Sequence, residues 1–183
     1  MSQLGVVKFS YLAYLSQPAS DRPIYKWLNQ NPVSRIVELG VGDAVRTRRM
    51  LELAVAVKSD APIHYTGIDL FEARSVGQMQ LTLKAAYRML RALPVRSRLV
   101  PGDPYTALAR VANELTGTDL LVIASDQDAE QLRRAWSLLP RMLHSTSQIF
   151  LERTTKKQPS FQPLSQDELT VLIATSRHPN RAA

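Results

Sequence analysis

The chain has 183 residues, 45% of them apolar, with 23 basic against 16 acidic side chains, a net charge of +7 and an isoelectric point near 10.0. These figures suit one globular domain with a substantial core, and the positive balance favours an anionic partner such as RNA without bearing on the fold. The absence of cysteine excludes a disulfide framework, a thiolate metal site and a cysteine nucleophile, and no apolar run approaches the ~20 residues of a membrane helix or the three-part pattern of a signal peptide, so a cytoplasmic protein is expected.

Residues 1–19 are weakly patterned. Ser20-Asp21-Arg22-Pro23 offers the polar cap and early proline of a helix start, Ile24, Trp27 and Leu28 form its apolar face, and Asn31-Pro32 stops it. Residues 35–39 read as a strand buried on both sides. A helix is expected over 44–57, with Met50, Leu51, Ala54 and Val57 on one face. Asp60-Ala61-Pro62 is a loop, and 63–70 is a second strand ending in an acid. The strongest helical pattern covers 78–93, where Leu83, Ala86, Tyr87, Leu90 and Leu93 share a face and Pro94 closes it. A short strand follows at 98–100. The next helix starts at Pro104 with Asp103 as its N-cap. Residues 119–125 form an apolar strand. Residues 128–142 form a helix with Asp128 and Gln131 placed as a capping box and Pro140 bending its end. A fifth strand at 148–153, a proline-bearing loop at 156–167, a sixth strand at 168–176 and a fraying tail complete the chain.

Strands alternating with helices imply an α/β fold: a doubly wound, mostly parallel sheet of about six strands with helices on both faces. It divides into an N-terminal lead-in and helix at 1–33, a core at 34–153 and a shortened C-terminal region at 154–183. Ligands of such sheets bind outside the carboxyl ends of the strands, where strand order reverses. Four acids stand at or just after successive strands: Glu38, Asp69, Asp103 and Asp126. Each also has an ordinary structural use. Glu38 can pair with Arg46, Arg48 or Arg49, Asp69 can cap a turn, and Asp103, Asp126 and Asp128 can cap helices.

The first strand leads into Gly40-Val41-Gly42, a tight turn whose backbone can approach a small polar ligand. A dinucleotide fingerprint would place glycine or alanine where Val45 stands, and Glu38 would repel a pyrophosphate; a P-loop signature is absent. An acid before the glycines suits a ligand that is cationic or that offers hydroxyls and an amine.

Over residues 24–153 the chain resembles the class I S-adenosylmethionine-dependent methyltransferases, which have a Rossmann-like fold. Glu38-Leu39-Gly40-Val41-Gly42 is similar to the family's acid-x-G-x-G motif, which turns around the amino-acid end of the cofactor. Gly67-Ile68-Asp69-Leu70 is similar to the second motif, whose acid receives the ribose hydroxyls. Gly102-Asp103-Pro104 occupies the position that meets the adenine, and residues 119–128 the region beside the methionine and methyl acceptor. The resemblance implies S-adenosylmethionine as cofactor, bound by Glu38, Gly40, Gly42, Asp69, Leu70, Asp103 and Pro104, with Asp126 beside the methyl group to orient the acceptor or take its proton. Four departures stand out. Ala44 replaces the third glycine. No Asn-Pro-Pro-Tyr follows the fourth strand, and Glu152-Arg153-Thr154 does not supply the Asp-Asn pair of metal-dependent O-methyltransferases, so no metal is expected. Beyond Arg153 only one strand and no helix are expected, where the family has a helix and an antiparallel pair.

The expectation is therefore a methyltransferase with an unknown small-molecule or macromolecular acceptor. Two alternatives stay open: a non-catalytic cofactor-binding or interaction protein on the same fold, and a basic RNA-associated methyltransferase. The latter requires the arginines at 46, 48, 49, 88, 91, 96, 98, 133 and 134 to converge on one face beside exposed aromatics.

Overall fold

A computed structural model describes residues 3–57, 62–74, 81–155 and 158–177. Six strands form one sheet: β1 (Arg35–Leu39), β2 (Ile63–Asp69), β3 (Val95–Pro101), β4 (Thr118–Ile123), β5 (Leu143–Thr155) and β6 (Gln158–Pro163). Their order is β3-β2-β1-β4-β5-β6. Every neighbouring pair is parallel except β5 and β6, which form an antiparallel hairpin. The doubly wound α/β sheet expected from the sequence is the one observed.

The period of two along each strand splits the core into two layers. On one face Ile36, Tyr65, Leu99 and Leu120 pack beneath α2 (Arg22–Gln30), α3 (Val45–Val57) and α4 (Leu83–Leu90). On the other, Val37, Ile68, Val100 and Leu121 pack against α5 (Pro104–Val111), α6 (Ala129–Ala135) and α7 (Gln166–Arg177). Ile36 and Val37 are adjacent in sequence, fully buried, and serve opposite layers.

Several boundaries differ from expectation. The weakly patterned N-terminus contains a helix, α1 (Gln3–Ser10), that runs into a wide turn over Tyr11–Leu15. The helix expected over 78–93 is α4 alone within the described residues; 78–80 lie outside them. Residues 91–94 form the turn into β3, which starts at Val95. That strand was underestimated because it is an outer strand: its Val95-Arg-Ser-Arg pattern is an alternation with one polar face. The helix expected over 128–142 is α6 followed by a 3-10 segment, Trp136–Arg141, in which Pro140 cannot donate a backbone hydrogen bond.

The C-terminal expectation is corrected. The loop assigned to 156–167 contains β6, and the strand assigned to 168–176 is α7. β6 carries Pro159 and Pro163, which an outermost strand tolerates because one edge needs no ladder partner. Phe161, 1% exposed, anchors it in the core. α7 is rich in β-branched residues, which favoured the strand reading. Its start carries a reciprocal capping box: Ser165 N donates to Glu168 Oε2 at 3.0 Å and Glu168 N donates to Ser165 Oγ at 3.2 Å. Leu169, Leu172 and Ile173 then give it a face against the second layer.

Candidate functional site

Strand order reverses between β1 and β4, so a crevice opens outside their carboxyl ends. Gly40 N donates to Ile68 O at 2.8 Å, and Ala124 N donates to Leu39 O at 2.9 Å, which holds the turn after β1 between β2 and β4. Gly40 and Gly42 have φ of +88° and +62°, a left-handed region that favours glycine. The two glycines differ in surroundings. A Cβ on Gly40 would lie 2.5 Å from Gln127 Nε2, 2.8 Å from Ala124 Cβ and 2.9 Å from Asp126 Oδ1, so the β4 loop closes over it. A Cβ on Gly42 would meet nothing within 4 Å, so that part of the turn faces open space. Ala44, at the third glycine position, also has a positive φ of 62° and carries its methyl under strain.

Asp69, at the end of β2, reaches this turn. Gly42 N donates to its Oδ2 at 3.0 Å and Phe71 N to its Oδ1 at 2.9 Å. Arg74 then clamps it in bidentate fashion, Nε to Oδ1 at 2.8 Å and Nη2 to Oδ2 at 2.6 Å. Burial pushes the Asp69 carboxyl up, but Arg74 and the two amides outweigh it and hold the group below its ordinary range. The third guanidinium nitrogen, Arg74 Nη1, donates to Asp126 Oδ2 at 2.5 Å, and Gln127 Nε2 donates to the other oxygen of Asp126 at 2.6 Å. One arginine thus joins the ends of β2 and β4 across the crevice.

Glu38, fully buried, is held from three sides: by Arg46 Nε at 2.8 Å, Thr47 Oγ1 at 2.7 Å and Tyr65 OH at 2.6 Å. Arg46 also donates to Gly40 O and lies over the Phe161 ring, 4.8 Å from its centre. Burial opposes the charge on Arg46, but Glu38 more than restores it; burial and Glu38 together raise the Tyr65 phenol far above its usual value. Of the three pairings open to Glu38 in the sequence, the structure uses Arg46. The carboxylate lies in the first core layer beneath the turn and is committed to internal partners.

The other candidates sit around the rim. Gly102 N donates to Asp69 O at 2.9 Å, which brings Asp103 beside the end of β2. Asp103 caps α5, accepting from Tyr105 N and Thr106 N at 3.0 Å each and from Thr106 Oγ1. Pro104 is buried in the first turn. Leu70 is 40% exposed next to buried Phe71, whose φ is +50°. Glu152 accepts from Ser125 N at 2.9 Å and Ser125 Oγ at 2.8 Å, fixing the β4 loop from the β5 side. Among the described residues no group of three or more His, Cys, Asp or Glu is placed to hold a metal ion. Nor is any helix there long and apolar enough to cross a membrane.

The sequence reading missed Arg74 and the buried part of Asp21. Nothing in the spacing distinguishes Arg74 from the other arginines. Asp21 was read as a cap, yet it makes no capping bond; it accepts from Ser20 Oγ at 3.2 Å and Tyr25 OH at 3.4 Å, and burial raises its carboxyl pKa.

No family model matches this sequence, and no curated protein does. Solved structures do. An O-methyltransferase from Streptomyces achromogenes involved in tomaymycin synthesis, in complex with S-adenosylmethionine, aligns over 97% of this chain and 78% of its own at 9% identity and a TM-score of 0.54. The fold is that of S-adenosylmethionine-dependent methyltransferases. An apo TDP-rhamnose 3′-O-methyltransferase of calicheamicin biosynthesis aligns over 81% of this chain and 76% of its own, at 16% identity and a TM-score of 0.56. A TehB-like methyltransferase from Corynebacterium glutamicum aligns over 91% and 77%, at 11% identity and a TM-score of 0.52. At these identities the likeness is one of fold, and function has to be argued from the site.

Proposed function

We propose that the protein is an S-adenosylmethionine-dependent methyltransferase whose cofactor lies across the Gly40–Gly42 turn at the ends of β1, β2 and β4. The observation that carries this reading is the contact between Asp69 and Gly42. It places an ionised carboxylate, an acceptor for ribose hydroxyls, beside a left-handed turn with open space above it. The donor set fits the cofactor in part: Gly42 supplies room for close backbone approach, Leu70 an exposed apolar surface, and Asp103 a carboxylate at the neighbouring strand end. When bound, the cofactor would supply an activated methyl group on a sulfonium. This chain's contribution would then be alignment, with Asp126 oriented by Gln127 at the rim, where it can position an acceptor or take its proton.

Arg74 has to give way in this scheme. Its guanidinium occupies both oxygens of Asp69, so ribose hydroxyls can reach that carboxylate only by displacing it. The same contact favours a second reading, a non-catalytic protein on this fold with its crevice held shut by Arg74. Calorimetry with S-adenosylhomocysteine on the wild type and on Asp69→Ala separates the two. The methyltransferase reading expects micromolar binding, weakened at least about tenfold by the substitution, or about 1.4 kcal/mol. No binding by folded wild-type protein would overturn it and leave the non-catalytic reading.

A further inference from the structure

Between Arg74 and Asp103 the sequence contains no acid, while Lys84, Arg88, Arg91, Arg96 and Arg98 fall there. In sequence these cations belong to two elements. The fold brings both to one edge of the molecule, because β3 is an outer strand and α4 packs on it. Lys84, Arg88 and Arg91 follow the i, i+4, i+7 spacing of one helical face and border a shallow depression of about 500 Å³ that includes the exposed ring of Tyr87 and, among the described residues, no carboxylate. On the other face of β3, Arg96 and Arg98 open into a cleft of about 250 Å³ at the amino ends of the strands. Register aligns Arg35, His64 and Arg96 across three adjacent strands there, with Thr66 and Arg98 one step further along.

Among the described residues the cleft is lined by a single acid, Glu114, bonded to Arg98 at 2.5 Å. Lys84, Arg88, Arg91 and Arg96 have no ionic or hydrogen-bonding side-chain partner among the described residues, whereas Arg46, Arg48, Arg74 and Arg133 are all paired with acids. Arg141 also lacks such a partner, and Lys26 and Arg134 lie only over tyrosine rings, but these three are dispersed, whereas the α4–β3 edge gathers four unpaired cations. α4 keeps its apolar face, Ala86 and Leu90, in the core and exposes one aromatic ring, Tyr87, which is too little apolar surface to lie in a lipid surface.

We infer that the α4–β3 edge is a binding track for single-stranded RNA. The cations would take the phosphates. Tyr87, exposed between Lys84 and Arg88, offers a ring on which an unstacked base can lie, which a duplex does not present. Glu114 in the cleft, its side chain 61% exposed, offers an acceptor to a ribose 2′-hydroxyl, which DNA lacks. The track leads toward the crevice, since Leu83 N at the start of α4 donates to Glu72 Oε1 at 2.8 Å, just beyond the end of β2. The inference does not depend on the cofactor.

Fluorescence anisotropy with a labelled single-stranded RNA of about 12 nucleotides, without cofactor, tests it. Affinity should fall with salt, with a log–log slope of about −0.7 per phosphate contacted. The triple variant Arg88→Gln, Arg91→Gln, Arg96→Gln should weaken binding at least about tenfold and make that slope shallower by about 2. Tyr87→Leu should weaken binding several-fold and leave the slope unchanged. A control triple, Arg48→Gln, Arg133→Gln, Arg141→Gln, removes the same charge elsewhere and should have little effect. Equal losses in the two triples would overturn the site. So would tighter binding of duplex RNA, equal binding of single-stranded DNA of the same sequence, or no binding by the wild type. Thermal melting of each variant confirms that it is folded.

Discussion

Two acid–arginine pairs stand at the ends of neighbouring strands, and they do different work. Glu38 and Arg46 lie under the turn, 0% and 13% exposed, with Thr47, Tyr65 and the Phe161 ring completing the enclosure. Asp69 and Arg74 are comparably shielded, at 2% and 9%, but Arg74 comes from the loop after a 3-10 turn and reaches out to Asp126, which is 40% exposed. The first arginine stands on a helix that the core holds; the second stands in a loop and is bonded to two carboxylates. The same charge chemistry is structural in the first pair, and in the second the proposed cofactor site requires the arginine to exchange.

The largest expected effect tests the first pair. Glu38→Ala strands a shielded guanidinium and leaves Tyr65 and Thr47 without their acceptor. It should cost about 3–5 kcal/mol in urea unfolding, a large share of the stability of a domain. A loss below about 1 kcal/mol would show that the pair is not structural. Arg74→Ala tests the second pair and should act in the opposite sense on binding: affinity for S-adenosylhomocysteine should rise about threefold or more, worth about 0.7 kcal/mol. Unchanged or weaker binding would mean that Arg74 does not compete with the ligand.

Smaller effects sharpen the comparison at the rim. Asp103→Ala removes the cap of α5 and should cost about 1 kcal/mol in thermal unfolding; if it also weakens ligand binding, the carboxylate serves both roles. Ala44→Gly should stabilise slightly, by up to about 1 kcal/mol, because relief of the left-handed strain exceeds the added chain entropy of glycine. A loss of more than about 1 kcal/mol in urea unfolding would show that the methyl is needed for packing.

Much of the core was legible in the sequence, and the reason is local. β1 is found at its expected bounds, Arg35–Leu39, because Ile36, Val37 and Leu39 are all buried, and a strand covered on both faces reads as a near-continuous apolar run, broken here by Glu38. The start of α5 is marked by Asp103-Pro104, which combines a cap with a preset φ. The C-terminal region was misread because local signals conflicted. The β-branched run in α7 outweighed the capping box at Ser165 and Glu168, and the prolines of β6 concealed a strand that only an outer position permits.

The sequence by itself determined the alternation of strands and helices, the acids that follow the strands and the glycines of the turn. These depend on side-chain periodicity and on φ preferences within a few residues. Only the tertiary structure decided how the charges pair. Glu38 could have met any of three arginines, and α3 presents Arg46. Arg74 reaches both Asp69 and Asp126, five and 52 residues away along the chain. The basic residues of α4 and β3 gather at one edge because strand order leaves β3 outermost. Ion pairing acts across space, and the distances it depends on are set by the packing of the sheet and its helices.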